Sequence, residues 1–160
     1  MKQLTLKDLV KKDTFFLIAG PCVIESERHA MKMAVEISKI AKKHKIPFVF
    51  KASFDKGNRT SHKSYRGLGL EKGLAILSKI REKVGVWVTT DVHESADAAQ
   101  VGEVVDIIQI PAFLSRQTDL IVASAKTGKI VNVKKGQFMA PWDAKNIVEK
   151  LKTAHAKGIM

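Results

Sequence analysis

Twelve residues, Lys51-Ala-Ser-Phe-Asp-Lys-Gly-Asn-Arg-Thr-Ser-His62, gather two lysines, an arginine and several hydroxyl and amide groups directly after an apolar run. Their chemistry is anion binding. Lys56 offers a compact point charge, and Arg59 offers a planar fork of donors that matches a carboxylate or phosphate in two bonds. The mixture suits a ligand carrying both kinds of anion. A solvated basic loop is the plain alternative, and the stretch by itself leaves both readings open.

The elements that position these groups follow from hydrophobic patterning. Phe15-Phe-Leu-Ile-Ala19 is a continuous apolar run closed by Gly20-Pro21, the pattern of a strand buried on both faces. After Ser26, a suitable N-cap next to acidic Glu25 and Glu27, the residues Ala30, Met33, Ala34, Ile37, Ile40 and Ala41 recur at helical spacing. The alternation repeats. Strands are predicted at 47–54, 86–90, 106–111 and 129–134. Helices are predicted near 70–83 (Leu70, Leu74, Leu77 and Ile80 inward), 95–103 with Ser95 as its cap, 118–126 and 143–155.

About five strand-helix units imply parallel strands with right-handed crossovers, in an open doubly wound sheet or a closed barrel. The positions of the polar residues favour the barrel. Cys22 and Glu25 follow the first strand, Lys51 and Ser53 end the second, and Asp91 and His93 follow the third. Gln109 lies in the fourth, and Asn132 and Lys134 lie in the fifth. Chemistry delivered by the carboxyl ends of successive strands is how a barrel builds its site, whereas an open sheet concentrates it at one switch point. A full barrel takes about 250 residues. The expectation is therefore an incomplete (β/α)8 barrel forming one domain over residues 1–160, with a sixth strand starting at Gly158.

Composition sets the class of partner. The 160 residues carry a net charge of +12, which favours anionic partners: nucleic acid, acidic lipid or phosphorylated metabolites. Aromatic residues are only 6% and the helical lysines are dispersed, which disfavours a nucleic-acid-binding face with interleaved aromatics. A single cysteine, Cys22, excludes an internal disulfide and fits a reducing compartment. The segment Met1–Asp8 lacks the apolar core of a signal peptide, and no apolar run is long enough to span a bilayer. A cytoplasmic location without membrane partners is expected.

Seven motifs occur in order: Ile18-Ala-Gly-Pro-Cys-Val-Ile-Glu-Ser26, Phe50-Lys-Ala-Ser-Phe-Asp-Lys56, Asn58-Arg59, Thr89-Thr-Asp-Val-His-Glu94, Ile108-Gln-Ile-Pro-Ala-Phe113, Arg116-Gln-Thr-Asp119 and Asn132-Val-Lys-Lys-Gly-Gln-Phe138. Together they resemble the 3-deoxy-D-manno-octulosonate 8-phosphate synthase family, from Phe16 to about Leu151. The resemblance implies a (β/α)8-barrel transferase that condenses phosphoenolpyruvate with D-arabinose 5-phosphate and releases phosphate. This reaction serves Kdo and lipopolysaccharide biosynthesis, and the family usually assembles as a homotetramer. Related enzymes that use erythrose 4-phosphate carry Lys-Pro-Arg-Thr-Ser at the aldose loop. Here that loop reads Lys56-Gly57-Asn58-Arg59-Thr60-Ser61, which favours the five-carbon sugar. Two departures stand in it: Gly57 replaces the usual Ala, and Thr60 replaces a frequent Ser.

By the same resemblance, Lys51, Ser53, Lys56, Gln109 and Lys134 belong to the phosphoenolpyruvate pocket, and Asn58, Arg59 and Thr60 to the aldose phosphate and its chain. Arg116 reaches the aldose phosphate of a neighbouring subunit. Asp91 orients aldose hydroxyls or a lysine, and His93 reads as a packed imidazole. Outside that context, Arg116 and Lys134 are surface charges and Asp91 is a helix cap. Cys22, which on general grounds is a small packed residue, marks the metal-dependent branch of the family. It implies a divalent Zn, Fe or Mn ion whose remaining His, Glu and Asp ligands lie outside this chain. An inactive, poorly soluble fragment with exposed sheet edges is the competing expectation for the chain alone.

Overall fold

The structure, a computed structural model, describes residues 6–10 and 15–160. The predicted absence of a signal segment falls partly on Met1–Thr5, which lies outside the described residues. The chain divides into two compact units, residues 1–90 and 91–160.

The first unit holds a helical turn, α1 (Leu6–Leu9), then β1 (Leu17–Ala19), α2 (Glu27–Lys43), β2 (Phe48–Lys51), α3 (Leu70–Val84) and β3 (Trp87–Asp91), whose last residue crosses the boundary. Its strands are parallel and neighbour one another in chain order. Ile18 is in register with Val49, Phe50 with Val88, and Lys51 with Thr89. Helix α2 begins where Ser26 accepts a hydrogen bond from the His29 N–H at 3.2 Å. Glu27 in its first turn and Lys42 and Lys43 in its last complement the helix dipole. The buried stripe of α2 runs through Ala30, Ala34, Ser38 and Ala41. Ile40, predicted inward, is exposed, because it sits about 100° around the helix from Ala41 and beyond the edge of that stripe. In α3 the residues Leu74, Leu77 and Ile80 are buried as their spacing predicts, against a sheet whose Val49, Phe50 and Val88 are fully enclosed.

The second unit runs from a 3₁₀ turn (Ser95–Asp97) into α4 (Ala98–Val104), then β4 (Ile107–Ile110), α5 (Thr118–Lys126), β5 (Ile130–Val133), α6 (Ala144–Thr153) and β6 (Gly158–Ile159). Strands β4, β5 and β6 are again parallel and in chain order. Gln109 is in register with Asn132, and Val131 with Ile159. Every residue of β4 is buried, as befits a parallel strand covered on both faces. Ile107, Ile108, Ile110, Ile121, Val131 and Leu151 form its enclosed core. Ser95, the expected cap, instead lies within the 3₁₀ turn, and no side chain caps that turn or α4. The tighter turn has already used those backbone groups before the α-helix starts.

Candidate active site

Strand β2 ends at Lys51, and the chain continues extended through Ser53, which bridges to Val23 in the connection after β1 and gives its carbonyl to the Ile24 N–H at 2.9 Å. This fixes Ser53 with no exposed surface. Its hydroxyl accepts from the Lys56 ammonium at 2.8 Å and from the Lys51 ammonium at 3.3 Å. Two cations from opposite sides of one serine are thereby held on a single oxygen, Lys56 buried and Lys51 half-buried. Both groups are cationic, so an anion placed beside them would be attracted to both.

Beyond Lys56 the chain makes an exposed loop that carries Asn58, Arg59 and Thr60. The neck of the loop is closed by a hydrogen bond from the Gly69 N–H to the Phe54 carbonyl at 3.1 Å. Arg66 also donates two bonds to Asp55, from Nε to Oδ1 at 2.9 Å and from Nη2 to Oδ2. These bonds, and the charge of Asp55, hold the guanidinium pKa above its ordinary range. Neither Asp55 nor Arg66 stood out in the sequence. Eleven positions of irregular chain separate them, and no periodicity pairs residues across such a loop.

In the second unit a line of amides crosses three elements. Asn132 Nδ2 on β5 donates to Gln109 Oε1 on β4 at 2.9 Å, and Gln109 Nε2 donates to the Asp91 carboxylate. Asp91 and Gln109 are buried. The Val92 N–H binds the Gln109 carbonyl at 2.9 Å, so backbone and side chain lock the same register. Asp91 therefore sits at a strand end, held by an amide donor, and no side chain caps the turn or helix that follows.

Lys134 and Arg116 are exposed on the connections after β5 and β4. The Lys134 N–H is tied to the Ile110 carbonyl at 3.0 Å, and the Arg116 carbonyl accepts from Lys150 at 3.2 Å. Lys135, by contrast, spends its ammonium on the carbonyls of Gly136 and Met139 at 2.8 and 2.9 Å, which shapes the loop behind Lys134. His93 is half-buried just past β3.

Cys22 is exposed after β1. Among the described residues no group of three or more His, Cys, Asp or Glu side chains is placed to hold a metal ion. One thiolate does not fill the coordination shell of a divalent ion. The described donors do not fit a metal site by themselves.

Parallel strands in chain order, β1 to β5 each followed by a helix, with ammonium, amide and carboxylate groups at or just beyond strand carboxyl ends, define an α/β protein of the (β/α)8-barrel type, represented by an incomplete set of units. The chain belongs to the DAHP synthetase I family, which matches residues 8–160. It is similar to proteins named 2-dehydro-3-deoxyphosphooctonate aldolase. That of Koribacter versatilis (strain Ellin345) is 63% identical over 137 residues, which cover 86% of this chain and 49% of the relative. That of Cyanothece sp. (strain PCC 7425 / ATCC 29141) is 58% identical over 146 residues, 91% of this chain and 54% of the relative. That of Rickettsia prowazekii (strain Madrid E) is 57% identical, covering 91% and 53%. The chain spans about half the length of the curated relatives it matches. No helix among the described residues is long and apolar enough to cross a membrane.

Proposed function

We propose that this chain carries the phosphoenolpyruvate-binding and aldose-binding strand ends of a transferase. Its reaction joins phosphoenolpyruvate and D-arabinose 5-phosphate, with water, to give 3-deoxy-D-manno-octulosonate 8-phosphate and phosphate. The observation that carries the reading is the pair of ammonium groups gathered on the Ser53 hydroxyl. The names of the relatives support the choice of reaction.

The methylene carbon of phosphoenolpyruvate attacks the aldehyde carbon of the sugar, forming the new C–C bond as the aldehyde oxygen takes up a proton. Water adds at the neighbouring carbon, which bears the phosphate, and loses a proton, and the bridging C–O bond on that carbon then breaks to release phosphate. Lys51, Ser53 and Lys56 bind the carboxylate and phosphate and stabilise the oxyanions that develop. Gln109 and Lys134 are further proposed contacts of the same substrate. Asn58, Arg59 and Thr60 hold the phosphorylated aldose, Arg116 reaches the sugar phosphate of a neighbouring copy in a tetramer, and Asp91 orients sugar hydroxyls. Cys22 is one prospective metal ligand, whose partners would come from outside the described residues. The cytoplasm, where both phosphorylated substrates occur, is the proposed location.

The chain joined in frame to the part of the Koribacter versatilis relative that it does not match tests the reading. Phosphate release is expected with D-arabinose 5-phosphate and far less with erythrose 4-phosphate, and Lys56→Ala is expected to abolish it. Equal use of the two sugars would overturn the assignment.

A further inference from the structure

The exposed loop after Lys56 is long for a segment that must present donors at fixed positions, yet its base is closely tied. Asp55, whose side chain is 21% exposed, accepts the Lys56 N–H at 2.7 Å in addition to both bonds from Arg66. One carboxylate therefore fixes the residue that anchors the anion site and the residue that closes the loop. Gly67 makes the return tight. Its φ is +129°, and a Cβ there would lie 2.2 Å from the Phe54 carbonyl oxygen, so only glycine fits. Tyr65 adds a bond to the Ile24 carbonyl at 3.3 Å. Within the loop, Ser61 accepts from Ser64 N–H and Lys63 N–H at 3.0 and 3.3 Å. The residues between these ties, Asn58, Arg59 and Thr60, are exposed and depend on the neck for their placement.

We propose that Asp55 and Arg66 form a positioning clamp that holds the 57–65 loop at a fixed offset from Lys56, so that Asn58, Arg59 and Thr60 meet a phosphorylated aldose already ordered. The inference deepens the functional reading above and rests on it. Neither residue of the clamp touches substrate. It lowers the ordering cost of the loop at the moment of binding. Because the pair is exposed and screened by solvent, the expected effect of losing it is modest, about fivefold in affinity for the sugar phosphate. Because the loop serves the sugar and not the enolpyruvate, the two ligands respond differently. A general loss of stability would weaken both alike.

The test compares the unaltered chain with Arg66→Ala and Arg66→Lys by amide hydrogen exchange at 57–65, and by calorimetric titration with D-arabinose 5-phosphate and with phosphoenolpyruvate. Arg66→Ala is expected to speed exchange across the loop, to weaken the sugar phosphate about fivefold and to leave phosphoenolpyruvate within about twofold. Arg66→Lys keeps the charge and one bond and is expected to recover part of both effects. Unchanged exchange in Arg66→Ala, or an equal loss of both ligands, overturns the clamp. If the unaltered chain binds neither ligand, the functional reading falls, and the exchange comparison still decides whether the pair holds the loop.

Discussion

Replacing Ser53 by alanine removes the oxygen on which two ammonium groups meet. The Lys56 bond is short, 2.8 Å, and buried, which places it among hydrogen bonds to charged groups worth about 1.5–3 kcal/mol. The Lys51 bond, at 3.3 Å and part-buried, is weaker and contributes about 0.5 kcal/mol. Alanine fits the space without strain, so the loss on Ser53→Ala is about 2–3.5 kcal/mol. For a chain of this size that corresponds to a fall in Tm of roughly 4–14 °C. The assay is thermal melting followed by circular dichroism at constant ionic strength. A double-mutant cycle with Lys56→Met isolates the pairwise part. A coupling energy of about 1.5 kcal/mol or more is expected. A coupling below about 0.5 kcal/mol, within the additivity expected of independent sites, would mean that Ser53 does not hold Lys56, and the argument for a prearranged anion site would fail.

Three further outcomes are expected. Gln109→Leu removes the donor to buried Asp91 and the acceptor for Asn132, and should lower unfolding free energy by about 2–4 kcal/mol in urea titrations; a loss under about 0.5 kcal/mol would show the amide line to be incidental. Gly73→Ala should destabilise by about 1–3 kcal/mol despite the better helix propensity of alanine, because its Cβ would lie 2.2 Å from the Phe54 Cβ; a higher melting temperature would contradict the close packing of α3 on Phe54. Arg66, held above its ordinary pKa range by the Asp55 hydrogen bonds, gives its contribution in full below its unfolded pKa and loses it only as pH rises through the folded one. The stability difference between the unaltered chain and Arg66→Ala should therefore be the same at pH 6 and pH 9, and a difference that shrinks across that interval would mean that another group holds the loop.

Long periodic segments were the easiest to read. The helix predicted at 118–126 coincides with α5, because its apolar stripe and its flanking turn signals agree. Strand ends were harder. The run predicted as a strand over 47–54 pairs only over Phe48–Lys51. Beyond it, Ser53 leaves the ladder for an isolated bridge to Val23. That departure, set by tertiary packing and not by propensity, is what puts the Ser53 hydroxyl between two lysines. Asp91, Gln109 and Asn132 were visible as polar residues on or beside apolar strands. Their mutual bonds depend on register, which a single sequence does not print. The Asp55–Arg66 pair and the loop-shaping role of Lys135 join residues by irregular backbone, where no repeat exists to read.

The most direct test of the central claim is a titration of this chain with phosphoenolpyruvate, followed by calorimetry beside the Lys56→Ala variant. The two lysines gathered on Ser53 call for saturable binding of one molecule per chain, lost when Lys56 is replaced. Binding of equal strength in the variant, or none in the unaltered chain, would contradict it.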